Sequence, residues 1–422
     1  MPQLSFLNQL PSLEKLRSLN AQLGRRSAPQ LVGLDIQPGY VAAAQASVNG
    51  SLRVERAVGA PLPGDAMREG EVLDEVTLAD ALRELFGKAH LDKRVRVGVA
   101  NQRTVLRMLE LPPLTERKEL DAAVRFQAAD QIPMPLENAV LDYHALGIVE
   151  TPAGPRQRVA VVAAQRDMVE RLLSAVRRAG LRPEAVDLSA FALIRALHRS
   201  PAPAAAGDGE PGTQASDAPV EPAQGRILYL NIGGLTNIAI AEGTTCRFTR
   251  VVGGGLESIA AAIAERQQIP LSEARELLAE VDLGRSPAGD LASVAVAQRS
   301  EEPQGEQAPE ALDERIDHEP GAPVGEESDV RQMLESGVRE IAGEVRNSMD
   351  FHRMQEGGGQ VSSVVVSGPA LAIAGFAQAL SSELGMEVRA QTVGFVGDAA
   401  GHVAPEHLAV AAGLAVEEAA GL

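Results

Sequence analysis

The feature that most constrains this chain is a pattern of three short apolar runs, two small turns and a triple glycine at residues 226–255, RILYLNIGGLTNIAIAEGTTCRFTRVVGGG. The first run ends at the polar Asn231, Ile232 and the turn Gly233-Gly234. A second run reaches Ile240, the turn Glu242-Gly243 follows, and a third run passes Cys246 to Val252. Such a pattern predicts a three-stranded meander that feeds a helix start at Gly253-Gly254-Gly255. Backbone N–H groups at a glycine turn and at a helix N-terminus form a cradle suited to anionic phosphate. Residues 31–58, LVGLDIQPGYVAAAQASVNGSLRVERAV, repeat the design: Asp35-Ile36 stands where Asn231-Ile232 stands, Gly39 falls in the first turn and Asn49-Gly50 in the second. Two similar meanders far apart in one chain predict a duplicated fold with two facing lobes. Chance likeness between short Ile/Val/Ala strands is the alternative.

At 422 residues the chain can bury more than one core. A net charge of −18 argues against a nonspecific grip on nucleic acid or on an anionic lipid surface by the whole molecule. Cys246 is the single cysteine, so no internal disulfide can form and a reducing cytoplasm fits best. Its place in an alternating apolar run reads as a buried, inert thiol rather than a nucleophile. No apolar run approaches the ~20 residues of a membrane span, and no signal peptide is visible. Lysine occurs only at Lys15, Lys88, Lys93 and Lys118, and there is no GxxxxGK[ST] loop, which excludes a P-loop NTPase.

The chain divides by composition. Residues 1–29 place Leu10, Leu13, Leu16, Leu19 and Leu23 at helical spacing beside Lys15, Arg17, Arg25 and Arg26. This extension reads as an amphipathic helix for a membrane surface, for a partner or for the protein's own core, or as a frayed tail. Residues 30–199 form a first α/β lobe, with helices expected at 78–87, 115–131 and 166–179 and strands at 94–100, 105–111, 139–146 and 158–164. Residues 200–225 are a Pro/Ala/Gly/acid linker with almost nothing to bury, read as disordered. A second lobe covers 226–405, with helices at 256–268, 272–279 (Ser272 as cap), 330–354 and 371–384, strands at 363–367 and 387–391, and an acidic loop at 285–328 read as disordered. A closing helix over 407–419 falls in a final unit, 406–422, that returns to the first lobe.

In this order the motifs resemble the actin-like ATPase superfamily, and within it the PilM and FtsA branch. LDIQPGYVAAAQ resembles the family's first phosphate loop, and LNIGGLTNIAIAEGTTCRFTRVVGGGLESIAAAIA its second. VRNSMDFHR is similar to the connecting helix, VVVSGPALAIAGFAQAL to the adenosine motif, and HLAVAAGLAVEE to the closing helix. The stretch LPPLTERKELDAAVRFQAADQIPMPLENAVLDYHALG is similar to the small inserted α/β subdomain of PilM, placed at about 93–165. The resemblance implies an actin-like duplicated two-lobe fold with ribonuclease H-like lobes. It also implies a cytoplasmic type IV pilus assembly protein at the inner face of the inner membrane. Such a protein binds the N-terminal cytoplasmic tail of a PilN-like membrane protein, meets other pilus-assembly proteins, touches the membrane through its partner, and binds no nucleic acid.

For ATP and Mg²⁺ the resemblance points to Asp35, Gly39, Asn231, Gly233, Gly234, Thr236, Gly254, Gly255, Ser367 and Gly368, with Asp35 as the Mg²⁺–water residue and the one catalytic candidate. Several positions depart from the family pattern. The Ser/Thr and Lys of the first loop give way to the turn Gln37–Tyr40, and the second-loop Asp is Asn231. The nucleoside-contacting A-E-x-x-K reads Ala274-Arg275-Glu276-Leu277-Leu278, and the second Gly of the adenosine motif is Pro369, which lacks an N–H. Glu273 and Arg275 read as a solvated helix face, with substitution for the lost nucleoside contacts by one of them as the alternative. The expectation is a scaffold whose hold on nucleotide is weakened or lost, at most a weak ATPase. An active actin-like ATPase or an FtsA/MreB-like filament former is the competing reading.

Overall fold

The computed structural model describes residues 31–49, 51–89, 91–152, 154–199, 225–285, 324–355, 357–396 and 403–417. The expected helix within 1–29, the linker 200–225 apart from its last residue, and most of the acidic loop lie outside the described residues.

The first meander is β1 (Val32–Gln37), β2 (Tyr40–Asn49) and β3 (Ser51–Pro61). A small hairpin, β4 (Met67–Arg68) with β5 (Glu71–Val72), leads to α1 (Glu75–Lys88), whose first turn is capped by the Asp74 carboxylate accepting from Val76 N–H at 2.7 Å. Next come β6 (Arg94–Val99), β7 (Thr104–Leu111), α2 (Arg117–Gln131), β8 (Ala139–Thr151) and β9 (Gly154–Gln165). The half closes with α3 (Arg166–Arg178), β10 (Arg182–Leu188) and α4 (Ser189–Leu197). Gly180 follows α3 at φ +83°, a left-handed stop that glycine adopts without strain.

The second half has β11 (Arg226–Ile232), β12 (Thr236–Glu242) and β13 (Thr245–Val252). Helices α5 (Leu256–Gln267), α6 (Leu271–Glu280) and α7 (Val324–Met354) follow, then β14 (Val361–Ser367), α8 (Phe376–Leu384), β15 (Val388–Ala390), β16 (Gly394–Phe395) and α9 (Ala409–Ala415).

The duplication is explicit in the sheets. One runs β10-β6-β1-β2-β3, extended by β16, and the other β14's neighbours β15 and β11 in the order β13-β12-β11-β14-β15. In each, the first strand pairs antiparallel with the second and parallel with the fourth. The chain therefore has an actin-like two-lobe α/β fold. The strands β7, β9 and β8 form a separate sheet, and α2 packs on it through Leu120, Val124 and Ala128 over a core of their own.

The lobes share apolar contacts. Ala190, Leu193 and Leu197 of α4 join one cluster with Tyr229, Ala239 and Cys246 of the second lobe. Helix α9 lies on β1, β2 and α4, where glycines allow close approach: a Cβ on Gly413 would strike the Ala192 backbone. The Arg195 Nε donates to Gly413 O at 3.0 Å and Arg96 Nη1 to Val416 O at 2.8 Å, which satisfies carbonyls at the helix end. Cys246 is buried and burial pushes its thiol up to about 12, so it is inert.

Some expected elements differ. The helix from 330 begins at Val324, inside the stretch read as an acidic loop. Ser272 is not a cap: α6 starts at Leu271 after Pro270, and no side chain caps it. The expected helix 371–384 is a 3₁₀ turn, Pro369–Ala372, and a separate α8, because Gly375 at φ +78° breaks the run. The closing helix is likewise a 3₁₀ turn, Pro405–His407, followed by the shorter α9. The strand pair 139–146 and 158–164 is a longer hairpin of 13 and 12 residues.

Candidate functional site

Where the two meanders face each other, the structure brings together all ten residues singled out from sequence. Asp35 sits in the middle of β1 at 1% exposure, and Gly39 in the turn that follows. From the other lobe come Asn231 near the end of β11, Gly233 and Gly234 in the next turn, and Thr236 at the start of β12. Gly255 caps α5, Gly254 precedes it in open space, and Ser367-Gly368 ends β14 with Gly368 at φ +104°.

Asp35 Oδ2 accepts from Gln37 Nε2 at 2.9 Å and from the Tyr40 hydroxyl at 3.3 Å. Burial raises the Asp35 carboxyl to about 7, and these two hydrogen bonds offset only part of that. Burial, then the Asp35 charge, likewise raises the Tyr40 phenol well above its ordinary range. Around the pair, Asp35 Oδ1, Gln37 Oε1, Asn231 Nδ2, Thr236 Oγ1 and Ser367 Oγ are buried and make no hydrogen bond of normal geometry within the described residues.

The two turns touch. A Cβ on Gly234 would fall inside contact distance of the Pro38 carbonyl oxygen and 2.8 Å from its carbon. One on Gly233 would meet Gln37 Oε1 at 2.7 Å and Pro369 Cδ at 3.3 Å. Beside them, Arg275 Nε donates to Glu257 Oε2 at 2.9 Å, and Arg275 Nη1 donates to Leu62 O at 3.1 Å across the interlobe seam. Arg275 is therefore not part of a solvated helix face. It pairs with a helix neighbour and crosses to the first lobe, with its side chain 23% exposed. Sequence reasoning missed Gln37, Tyr40 and Glu257 as partners in this seam. Tyr40 carried the best signal, a large polar ring beside a turn in an otherwise Ala/Val strand.

ATP with Mg²⁺ is the ligand the resemblance implied, and the residues present do not fit a triphosphate in this arrangement. The Gly233 N–H is used by Leu235 O at 2.9 Å and the Gly255 N–H by Ser258 Oγ at 3.1 Å. The Pro38 carbonyl, an acceptor, faces Gly234 where a phosphate would need a donor. Arg275 is committed to Glu257 and Leu62. The orphaned atoms mix acceptors, hydroxyls and one amide donor, a set that ordered water can satisfy. Millimolar Mg–ATP is accordingly expected to leave the thermal unfolding midpoint unchanged. A ligand at a hundred times its Kd would add about 2.7 kcal/mol, a shift that a thermal scan resolves.

Residues 33–208 match the family model for the type IV pilus assembly protein PilM. Over this segment the chain is similar to PilM. Among solved structures, the chain is similar to a PilM–PilN type IV pilus biogenesis complex, with 22% identity over 92% of this chain and 98% of that one and a TM-score of 0.64. It is also similar to the ethanolamine utilization protein EutJ from Carboxydothermus hydrogenoformans (15% identity, 95% and 96% covered, TM-score 0.47). MreB5 of Spiroplasma citri bound to ADP shows 10% identity over 92% and 95%, with a TM-score of 0.42. The first likeness shows the shared fold. The matched segment takes in the first lobe and the sheet of β7, β8 and β9. Among the described residues, no helix is long and apolar enough to cross a membrane.

Proposed function

We propose that this chain is a cytoplasmic scaffold of type IV pilus assembly. In this reading it holds the N-terminal cytoplasmic peptide of a PilN-like inner-membrane protein and so links other pilus-assembly proteins to that membrane. The observation that carries the reading is the PilM match over residues 33–208, which spans the inserted β7–β9 unit as well as the first lobe. The similar PilM structure was solved as a complex with PilN, which supports a peptide ligand of the same kind. The seam argues for a scaffold that works without nucleotide turnover: Asn231 replaces a carboxylate that could orient a water, and Arg275 spans the cleft. Membrane association then comes through the partner.

Calorimetric titration with a synthetic peptide of the partner's N-terminal cytoplasmic residues tests this. The expected result is saturable one-to-one binding near micromolar Kd, about −8 kcal/mol, equal with and without Mg–ATP. A scrambled peptide should give no heat. Absence of saturable binding at millimolar peptide would remove the proposal.

A further inference from the structure

Outside the seam, a groove of about 1250 Å³ runs along the outer side of β3. Its floor is the Arg56 to Pro61 stretch of β3, one wall is α1, and Leu91 and Val403 close it. Val58, Ala60, Ala81 and Leu91 are apolar and only partly buried there. Asp80 and Glu84 stand on the α1 rim, paired with Arg83 and Lys88 in exposed bonds that water screens.

The sheet register fixes where the N-terminal chain arrives. Gly33 of β1 is opposite Ala44 of β2, and Ala44 is opposite Ala57 of β3, which lines the groove. The start of β1 is thus two strands away, about 10 Å at the usual strand spacing. Val32 is also in register with Val95 of β6, and Leu91 shortly precedes that strand, so the Leu91 end of the groove and the chain's entry share one end of the sheet.

The chemistry of residues 1–30 suits this groove. They hold seven leucines, Leu4 to Leu23, with Phe6, and four cations, Lys15, Arg17, Arg25 and Arg26, against the one acid Glu14, in a chain of net charge −18. A helix over 10–23 would be about 21 Å long, and the α1 wall from Thr77 to Lys88 runs about 18 Å by the same rise. The eight residues from Leu23 to Leu31 span up to ~26 Å extended, enough to reach. Other undescribed segments fit less well. Residues 397–402, GDAAGH, contain no large apolar side chain, 200–224 contain only Val220, and 286–323 leave from the second lobe.

We propose that residues 1–29 form an amphipathic helix that docks its leucine face into the groove between β3 and α1, with Lys15, on one flank of that face, toward the Asp80/Glu84 rim. The inference stands apart from the pilus reading, since it uses only the first lobe and its own N-terminal segment. Of the readings open from sequence, it selects the protein's own surface over a membrane.

The test uses the full chain carrying Leu16→Cys with Glu84→Cys, and as control Leu16→Cys with Phe126→Cys, where Phe126 is 79% exposed on the inserted unit. Cys246 is buried and stays out of the reaction. Disulfide formation in the groove pair is expected to be about tenfold faster than in the control, as a docked tether raises the effective concentration. In a second measurement, Leu13→Asp with Leu16→Asp should raise amide exchange in α1 and β3, and it leaves the described core untouched. Equal rates in the two pairs, or unchanged exchange, would overturn the proposal. So would flotation of the protein with vesicles one-third phosphatidylglycerol without any groove disulfide, which would assign the segment to the membrane.

Discussion

Asp35→Asn is expected to flatten the pH dependence of stability by about 4 kcal/mol between pH 4 and pH 7. The buried carboxyl is raised from 3.8 to about 7 in the folded chain. In the unfolded chain it loses its proton near pH 4, whereas the folded chain keeps it until about pH 7. Across that window the native state binds more protons, so stability falls as pH rises, by up to about 1.4 kcal/mol per pH unit, and then levels off. Asparagine cannot ionise, and its side-chain oxygen can still accept from Gln37 and Tyr40. Urea unfolding at pH 5 and pH 8 should show the variant gaining on the parent as pH rises. Superimposable profiles for the two proteins would mean that Asp35 is solvated in solution, and that the seam is open there.

Gly234→Ala should destabilise the chain by about 3 kcal/mol, while Gly254→Ala, in the same cluster, should stay within about 0.5 kcal/mol. The new methyl at 234 meets the Pro38 backbone, which belongs to the other lobe and cannot rotate away. At 254 it meets nothing within 4 Å. Neither glycine needs a left-handed φ, so the contrast isolates space rather than backbone freedom. Chemical denaturation gives both values. Hydrogen exchange should also locate the loss, with faster exchange on β2 and β12 near the turns and little change in the sheet of β7, β8 and β9. Equal stability of the two variants would show that the turns do not touch in solution.

The duplicated meander was legible because each copy writes its own local rules: alternating apolar runs, small turns, and glycine where a helix starts. Those rules survive folding, and in each sheet the three meander strands stand side by side in chain order, with a parallel strand on the other edge of the first. The ten residues singled out at the cleft converge for the same reason, since all but Asp35, which sits within β1, lie at a strand end, a turn or a helix start. What they do there was not legible. The bond from Arg275 to Leu62 joins residues far apart in sequence, and nothing in LSEARELLAE marks its arginine as different from a solvated one. Helix boundaries failed where a single backbone angle decides, as at Gly375, because glycine is tolerated within an apolar run until the tertiary fold selects its left-handed form. The two-residue strand β16, added in parallel at Arg53 and Val54, is too short to carry a pattern of its own.

The position of α9 has a consequence for how the protein is made. The first lobe begins at β1, yet the helix that covers one face of β1 and β2 and leans on α4 is built from residues 409–415. During synthesis the ribosome therefore releases a first lobe with Ala42, Ala44 and Leu193 uncovered on that side, and it stays so while the whole second lobe is translated. At ~5–20 residues per second this interval lasts on the order of ten to forty seconds. A chaperone that binds apolar strands has that time to act, and a ribosome stalled before residue 409 holds a chain whose second lobe can close while its first cannot.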